Sequence, residues 1–486
     1  MTSEILPRTA QTDCEPPPGC SLDERAAHIQ PRRETVRMTN DVILKAGFFG
    51  CAHAGYGMRG MARKHPAGPN IREVDGYVTY ELVQRDMISK GVDCQINGGD
   101  GFHVHHPSVR AVNEERRVDA LRIAAGIPAV VNTGNHDAGA GTSVSAAALL
   151  HQPDLGRLAV FPDPGRAVDD LIGPQPGYYE VHQPIPDVPF YLHVVSHNGL
   201  DPRLPERGII VDPQPIEGGV NILVSHGIFS ADGRLFGADD RHGAERVIPE
   251  EWVNRGWDQS ILSDYHTPGP IPGFGPDDGR ERGQVWMTGS LIGRGFSDEI
   301  CARGWLLLEL TTDGRVTVTP QYVWRRPQID FDTIDARGKT IEQINTIIRE
   351  RLAESDWWDD ESAEISGDGG YILRQKISYT TGGQRHGLRA LAGEWAAAAG
   401  RAAYWAFAWE HPLPSDGGLR LATEPETRTG SDHRRRTVDL AQAFTDRTDE
   451  GRLGAMLRAM AEDIRTPVIA HAHRALAELA PAEESA

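Results

Sequence analysis

The stretch VVNTGNHDAG, residues 130–139, joins an apolar run directly to a row of polar residues. Val130 and Val131 indicate the end of a buried strand, and the Gly and Pro of the preceding AAGIPAV (124–130) indicate a turn that leads into it. The polar residues therefore come at the carboxyl end of a strand, which is where open α/β sheets usually bind their ligands. Asn135 offers a carbonyl oxygen to a metal ion, and His136 offers a proton or a hydrogen bond at neutral pH.

Four other apolar runs end in residues of the same kind. They are FFGCAHAGYG (48–57), INGGDGFHVHHPS (96–108), ILVSHGIFS (222–230) and WDQSILSDYHTP (257–268). One histidine at a strand end is more often a hydrogen-bonded surface residue than a ligand, and one Asp after Gly-Gly is more often a turn residue. Five such strand ends in chain order instead favour a dinuclear metal site, in which a carboxylate bridges two cations about 3.5–4 Å apart. The candidate residues from these four runs are Cys51, His53, Asp100, His103, His226, Asp264 and His266.

Short apolar strands alternate with helix-like stretches from about residue 43 to residue 318, a pattern typical of a layered α/β fold. After residue 318 the pattern changes to a helix near 340–355, a strand near 370–378 and an Ala-rich helix near 387–409. We therefore predict a disordered leader at 1–40, an α/β domain at 41–318, a small α+β domain at 319–425, and a linker with C-terminal helices at 426–486.

Net charge, apolar runs and cysteine spacing exclude several classes of protein. The chain has 486 residues and a formal net charge of −19, which argues against a protein that coats nucleic acid by bulk electrostatics. No apolar run approaches 18 residues, and the polar, Pro-rich N-terminus lacks the apolar core of a signal peptide, so we expect a cytoplasmic protein without a membrane span. The five cysteines have irregular spacing and predict no disulfide framework.

The motifs resemble, in their order, those of the calcineurin-like metallophosphoesterases: D-x-H, G-D-x-x, G-N-H-D, H and G-H-x-H. Their flanks resemble the SbcD-type branch of double-strand-break repair nucleases. The flanking segments are GDGFHVHHPSVRAV (99–112), VIPEEWVNRGWDQSILSDYHTP (247–268) and VWMTGSLIGRGFSDEICARGWLLLEL (285–310). This resemblance implies a β-sandwich flanked by helices for 41–318, the nuclease domain, and a capping, DNA-binding domain for 319–425.

The resemblance also implies a role for each candidate residue. One metal ion would be held by Cys51, His53, Asp100 and His266, and the other by Asp100, Asn135, His226 and Asp264, with Asp100 as the bridge. His136 would lie beside the scissile phosphate as proton donor or transition-state stabiliser. His103 would help to position the phosphate.

Two positions depart from the family pattern, which has Asp at the position of Cys51 and His at the position of Asp264. Both replacements are themselves metal ligands, so one interpretation is a site adapted to a different metal. The other interpretation is a site that has lost activity in a chain kept as a scaffold. We expect two divalent ions, with Mn²⁺ first; Zn²⁺ or Fe²⁺ are the alternatives because a thiolate is a softer ligand.

By this resemblance we expect a DNA exonuclease or endonuclease subunit that hydrolyses phosphodiester bonds at duplex or hairpin ends in repair or recombination. Its expected partner is an SbcC-type coiled-coil ATPase that docks on the C-terminal helices, although these helices could equally pack on the chain's own domain. A homodimer is also possible. The alternatives are a catalytically silent scaffold for DNA ends and the ATPase, and a phosphoesterase of the same fold that acts on nucleotides or phosphoproteins.

Overall fold

The computed structural model describes most of the chain between residues 41 and 410. The described ranges are 41–58, 64–138, 145–163, 174–231, 234–236, 246–276, 283–294, 296 and 301–410. The predicted leader at 1–40 and the C-terminal segment at 426–486 lie outside these ranges, as does the end of the predicted 319–425 domain.

The described residues form eighteen strands and seven α-helices. The strands are β1 (Val42–Phe49), β2 (Cys94–Asn97), β3 (Ala129–Val131), β4 (Arg157–Ala159), β5 (Tyr179–His182), β6 (Phe190–Val195), β7 (Val220–His226), β8 (Ile228–Ala231), β9 (Arg234–Phe236), β10 (Val247–Ile248), β11 (Gln259–Ser263), β12 (Gly269–Pro270), β13 (Val285–Met287), β14 (Arg303–Thr311), β15 (Val316–Val323), β16 (Gln328–Asp335), β17 (Ile372–Ser378) and β18 (Tyr404–Glu410). The helices are α1 (Ile71–Ser89), α2 (Val109–Ala124), α3 (Glu250–Val253), α4 (Ile341–Leu352), α5 (Asp360–Ser366), α6 (Gly382–Ala390) and α7 (Ala392–Ala398). Within the described ranges, these helices are too short or too polar to cross a membrane.

Two six-stranded sheets form the body of the fold. The first has the strand order β15-β14-β1-β2-β3-β4, and the second has the order β12-β13-β11-β7-β6-β5. β1 to β4 run parallel, as do β6, β7, β11 and β13 in the second sheet, while the strands at the remaining edges are antiparallel. Three further strands form a smaller sheet with the order β10-β8-β9.

The two large sheets pack face to face through one apolar core. Side chains on alternate positions of a strand point to the same face, and Leu44, Ala46 and Phe48 of β1 accordingly all enter this core. Leu192 of β6 and Ile222 of β7 enter it from the second sheet. The predicted fold class, α/β with a β-sandwich flanked by helices, is confirmed.

Helices cover the outer face of the first sheet. Tyr80, Val83 and Met87 of α1 pack together with Trp305 of β14 in a second apolar cluster. α1 begins where the side chain of Asn70 accepts a hydrogen bond from the backbone N–H of Arg72, which satisfies one of the free donors of the first turn. The core of the sandwich is thus closed from water on this side.

The elements after β15 build a small unit with its own core. β16, β17 and β18 run parallel, and α4 to α7 connect them in the order β16-α4-α5-β17-α6-α7-β18. The predicted helix at 387–409 is wrong beyond residue 398, because Gly400 has a positive φ of 58° and ends the helical stretch. The following YWAFAWE alternates aromatic and small residues, which is a strand pattern, and it forms β18. Because β15 continues to Val323 in the first sheet, the predicted boundary at 318 falls inside a strand, and the division into domains stays a prediction.

A buried arginine fastens this small unit to the sandwich. Arg326 is 2% exposed and donates through Nε and Nη2 to both carboxylate oxygens of Asp75 on α1, each at 2.8 Å. Its Nη1 donates to the backbone carbonyls of Asp368 at 2.7 Å and Gly370 at 2.8 Å, just before β17. Every side of this guanidinium is therefore used to hold the two parts together.

Candidate metal centre

The loops that follow five strands meet at one edge of the sandwich. Because β1, β2 and β3 are parallel, their carboxyl ends lie side by side, and the ends of β7 and β11 face them from the second sheet. The structure brings all nine predicted site residues together at this edge: Cys51, His53, Asp100, His103, Asn135, His136, His226, Asp264 and His266. Their convergence is a finding, while their individual roles stay predictions.

The first group of possible ligands contains Cys51, His53 and His266, all buried, with ligand atoms within 4.8 Å of one another. His53 Nε2 lies 3.4 Å from His266 Nε2 and 3.7 Å from Asp100 Oδ2. Two ligands about 2.1 Å from a tetrahedral metal ion are about 3.4 Å apart, so the two imidazoles have the spacing of neighbouring ligands. With Asp100, these three residues are the set predicted for one metal ion, and that assignment stays a prediction.

The second group is centred on His226. Its Nε2 lies 3.2 Å from Asn135 Oδ1, 3.5 Å from Asp100 Oδ2 and 3.9 Å from Asp264 Oδ1. Its Nδ1 donates a hydrogen bond to the backbone carbonyl of Gly98 at 2.9 Å, which fixes the ring and directs Nε2 into the site. These four residues are the set predicted for the other metal ion, and that assignment stays a prediction.

Two residues lie between the groups. Asp100 Oδ2 is 3.7 Å from His53 Nε2 and 3.5 Å from His226 Nε2, as expected of a bridging carboxylate. The Cys51 thiol is within 4.8 Å of the ligand atoms of His53 and His266 and also of those of Asp100 and His226. Cys51 therefore reaches both groups, whereas the resemblance assigned it to one.

The backbone is strained at four of the predicted ligands. Among the described residues other than glycine, six have a positive φ, and these include Cys51 (49°), His53 (47°), Asp100 (56°) and Asp264 (98°). Such conformations cost about 1–3 kcal/mol each and persist where the surrounding structure enforces them. Here Cys51 N–H donates to the carbonyl of Gly99, and His53 N–H donates to the carbonyl of Asp100, both at 2.9 Å. These hydrogen bonds join the loops after β1 and β2 and enforce the strained conformations.

Contacts with the loop around Asp100 explain the residues found in the stretch 130–139. A Cβ at Gly134 would collide with the carboxylate and backbone N–H of Asp100, so only glycine lets the loops approach. The His136 N–H donates to Asp100 Oδ1 at 2.8 Å. The Asp137 carboxylate accepts from the N–H groups of Gly101, Phe102 and Gly134 at 2.9–3.2 Å, which fixes the loop, and burial together with the Asp100 charge raises the pKa of Asp137 to about 6.

The face of the site that opens to solvent is formed by half-buried residues. His136 Nδ1 donates to the backbone carbonyl of His103 at 2.6 Å, and the two rings stack with centroids 4.9 Å apart. Arg294 Nη1 lies 3.1 Å from His53 Nε2 and 3.2 Å from His136 Nε2. Arg294 was not among the predicted site residues; its only sequence signal is its place in the 285–310 segment.

The charges of the site favour a cation. Although burial by itself has the opposite effect, the charges of His226 and His136 hold the pKa of Asp100 well below its usual range. Burial alone would lower the pKa of His226, but the Asp100 carboxylate raises it to about 9. Burial, with the carboxylates of Asp100 and Asp264, raises the pKa of the Cys51 thiol well above its usual value. A metal ion must therefore displace protons from Cys51 and His226 when it binds.

The donor set fits transition metals. It combines imidazole nitrogens, carboxylate oxygens, an amide oxygen and a thiol, and imidazole and thiolate ligands suit Zn²⁺ and Fe better than Mg²⁺ or Ca²⁺. The buried chain residues could thus hold two ions, with Asp100 and Cys51 between them.

No model of a known protein family matches the sequence, and no curated protein matches it either. Among solved structures, the chain is similar to a dimetal phosphatase from Danio rerio, with 12% identity and a TM-score of 0.34, over 58% of this chain and 97% of the phosphatase. It is also similar to a purple acid phosphatase from seeds of yellow lupin (Lupinus luteus), with 13% identity and a TM-score of 0.33, over 57% of this chain and 51% of the lupin protein. At these identities and TM-scores the likenesses do not assign the chain to a family.

Proposed function

We propose that the chain is a dinuclear, metal-dependent phosphodiesterase that hydrolyses DNA at duplex or hairpin ends. The observation that carries the metal-dependent part is the position of Asp100, whose Oδ2 lies 3.7 Å from His53 Nε2 and 3.5 Å from His226 Nε2. One carboxylate within reach of two separate imidazole groups is the arrangement that a pair of cations requires. The choice of DNA as substrate rests on the resemblance of the segments that flank the ligands.

The buried residues would hold the metal ions, and the half-buried residues would contact the substrate. When bound, two divalent ions would supply positive charge that offsets the charge of the pentacoordinate phosphate, and they would lower the pKa of a bound water. His136 would give a proton from Nε2 to the leaving oxygen, since the carbonyl of His103 accepts from Nδ1 and stabilises the charged ring. Arg294, beside both His53 and His136, would bind the non-bridging oxygens of the phosphate.

A partner ATPase of the SbcC type, docked on the C-terminal segment at 426–486, and a cytoplasmic location complete the proposal. The partner rests on the resemblance alone, and the location rests on the sequence composition. Assembly as a homodimer is compatible with this function and is not required by it.

The proposal predicts that the purified chain degrades linear duplex DNA with Mn²⁺, and that His136→Ala lowers the rate by about 10²–10⁴-fold, the usual contribution of a positioned general acid. His182→Ala, on β5, serves as the control for loss of a histidine elsewhere. The measurement is the initial rate of nucleotide release from an end-labelled duplex. Equal rates in the His136 variant and the wild type would refute the role of His136.

The same assay separates the two alternatives. A phosphoesterase specific for nucleotides or phosphoproteins would release phosphate from those substrates and leave the duplex intact. A silent scaffold would bind DNA ends but degrade none of these substrates with Mn²⁺, Zn²⁺ or Fe²⁺, and it would hold fewer than two metal ions per chain.

Cys51 gives the metal site a spectroscopic signature. If its sulfur is a ligand, substitution with Co²⁺ produces an intense sulfur-to-metal charge-transfer absorption in the near ultraviolet, which Cys51→Asp abolishes while the chain still binds Co²⁺. Cys301→Ser, which removes the thiol that lies near the backbone carbonyl of His266, is the matched control and should keep the absorption. Persistence of the absorption in Cys51→Asp would show that another group supplies the sulfur.

A further inference from the structure

The side chain of Arg294 points into the candidate metal centre and contacts two of its imidazole rings. Its Nη1 lies 3.1 Å from His53 Nε2 and 3.2 Å from His136 Nε2. A guanidinium is positively charged and has only hydrogen-bond donors, so both imidazole nitrogens must be the acceptors. The unshared electron pairs of His53 Nε2 and His136 Nε2 are therefore both directed at Arg294.

The hydrogen bond on the other side of the His136 ring agrees with this assignment. His136 Nδ1 lies 2.6 Å from the backbone carbonyl of His103, which can only accept, so Nδ1 carries the ring proton. The ring is then neutral, and its Nε2 carries no proton while Arg294 donates to it. In the proposed reaction this same nitrogen gives a proton to the leaving oxygen. Arg294 must therefore move away from Nε2 before His136 can act as an acid.

His53 shows the same conflict toward a metal ion. Its Nε2 lies 3.4 Å from His266 Nε2 and 3.7 Å from Asp100 Oδ2, a spacing that makes this nitrogen a candidate ligand atom. The nitrogen has one unshared electron pair, which either accepts the Arg294 N–H or binds a cation, but not both. The positive charge of Arg294, 3.1 Å from this nitrogen, also repels a divalent ion bound there. Arg294 and the ion therefore exclude each other at His53.

Contacts on two sides hold the backbone of Arg294 in place. The Tyr56 hydroxyl donates to the Arg294 carbonyl at 2.7 Å, and Arg72 donates to the carbonyl of Gly293, the preceding residue. A Cβ at Gly293 would lie 2.6 Å from Arg72 Nη2, so glycine lets this segment approach Arg72. The Arg294 side chain itself is half-buried, and its several rotatable bonds let the guanidinium change position while the backbone stays fixed.

We propose that Arg294 competes with one metal ion for His53, and that this ion binds only when the guanidinium has moved away. This role rests on the metal-dependent part of the proposed function, and it concerns the ion predicted for Cys51, His53 and His266. A phosphate group at the site favours the movement, because a guanidinium binds phosphate oxygens through two parallel hydrogen bonds. One movement then frees His53 for the ion, frees His136 Nε2 for its proton and brings the guanidinium to the substrate.

The test compares Arg294→Met with the wild-type full chain in Mn²⁺ titrations without DNA or phosphate. Methionine keeps an apolar stem and removes both the charge and the donors. Arg85→Met is the matched control, because it removes an exposed arginine near the far end of α1, about 20 Å from Arg72 at about 1.5 Å per residue. The electron paramagnetic resonance signal of free Mn²⁺ gives the number of bound ions and their dissociation constants. Thermal melting checks that both variants are folded.

We expect Arg294→Met to bind one Mn²⁺ ion at least about tenfold more tightly than the wild type, the effect of removing one competing hydrogen bond from a charged group. The dissociation constant of the other ion should change less, and Arg85→Met should match the wild type. Damage to the fold weakens metal binding, so tighter binding distinguishes competition from a structural role of Arg294. Equal or weaker binding of both ions in Arg294→Met overturns the proposal.

The titrations also separate this proposal from the proposed function. If the wild type binds two ions and degrades DNA while Arg294→Met binds Mn²⁺ no more tightly, the function stands and the competition is overturned. If Arg294→Met binds one ion more tightly but the wild type leaves DNA intact, the competition stands and the nuclease activity is contradicted. Binding of Mn²⁺ by neither protein contradicts both.

Discussion

Replacing Asp100 by Asn is expected to lower phosphodiester hydrolysis by roughly 10³-fold or more, because the bridging charge that holds two cations contributes several kcal/mol at the transition state. The substitution keeps the shape of the side chain, and Asn tolerates the positive φ of 56° that this position requires. The bound metal should fall from two ions per chain to one or none. Metal content after gel filtration and the initial rate of DNA degradation measure the two effects.

The control for this change is Asp187→Asn, which makes the same substitution on an exposed turn before β6. It should leave both the metal content and the rate as in the wild type. Two ions per chain in Asp100→Asn would contradict the bridging role. An inactive wild type that also binds fewer than two ions would favour the scaffold instead.

Replacing Arg326 by Met is expected to have the largest effect on stability. The side chain is almost completely buried and bonded to Asp75 on α1 and to the backbone before β17, and removal of one partner of a buried ion pair costs about 3–5 kcal/mol. The loss arises because two buried carboxylates lose a cation: Asp75 keeps Arg72 as its charged partner among the described residues, and Asp368 loses its ion pair with Arg326. Urea unfolding followed by circular dichroism measures the change in the free energy of unfolding.

Arg85→Met provides the comparison, since Arg85 forms an exposed ion pair with Glu81 on the same helix α1. Exposed pairs contribute about 0–1 kcal/mol, so this variant should unfold close to the wild type. If Arg326→Met were as stable as Arg85→Met, Arg326 would not fasten the small unit to the sandwich. A loss confined to residues after 323, seen by hydrogen exchange, would instead locate its effect in that unit alone.

The sequence by itself determined the layered α/β class and the nine predicted residues that meet at the candidate metal centre. This was possible because the signals are local: an apolar run predicts a buried strand, and the polar residues that follow it must lie at the strand's end. The parallel order of β1, β2 and β3 then brings Cys51, Asp100 and Asn135 to one edge. The helix predicted for 387–409 failed because Ala-rich sequence favours a helix locally, whereas pairing with β17 favours a strand from Tyr404.

Only the tertiary structure showed which polar residues lie at the candidate metal centre and which stabilise the fold elsewhere. Arg294 contacts His53 and His136, whereas Arg326 lies in a buried ion pair. The place of Arg294 in the 285–310 segment does not predict that contact, and no local pattern predicts the burial of Arg326. The position of Cys51 between both groups of candidate ligands likewise depends on segments far apart in the chain, as does the meeting of Arg72 and Arg326 at Asp75. A side chain's burial and partners are set by the packing of distant elements, and periodicity along the chain does not encode them.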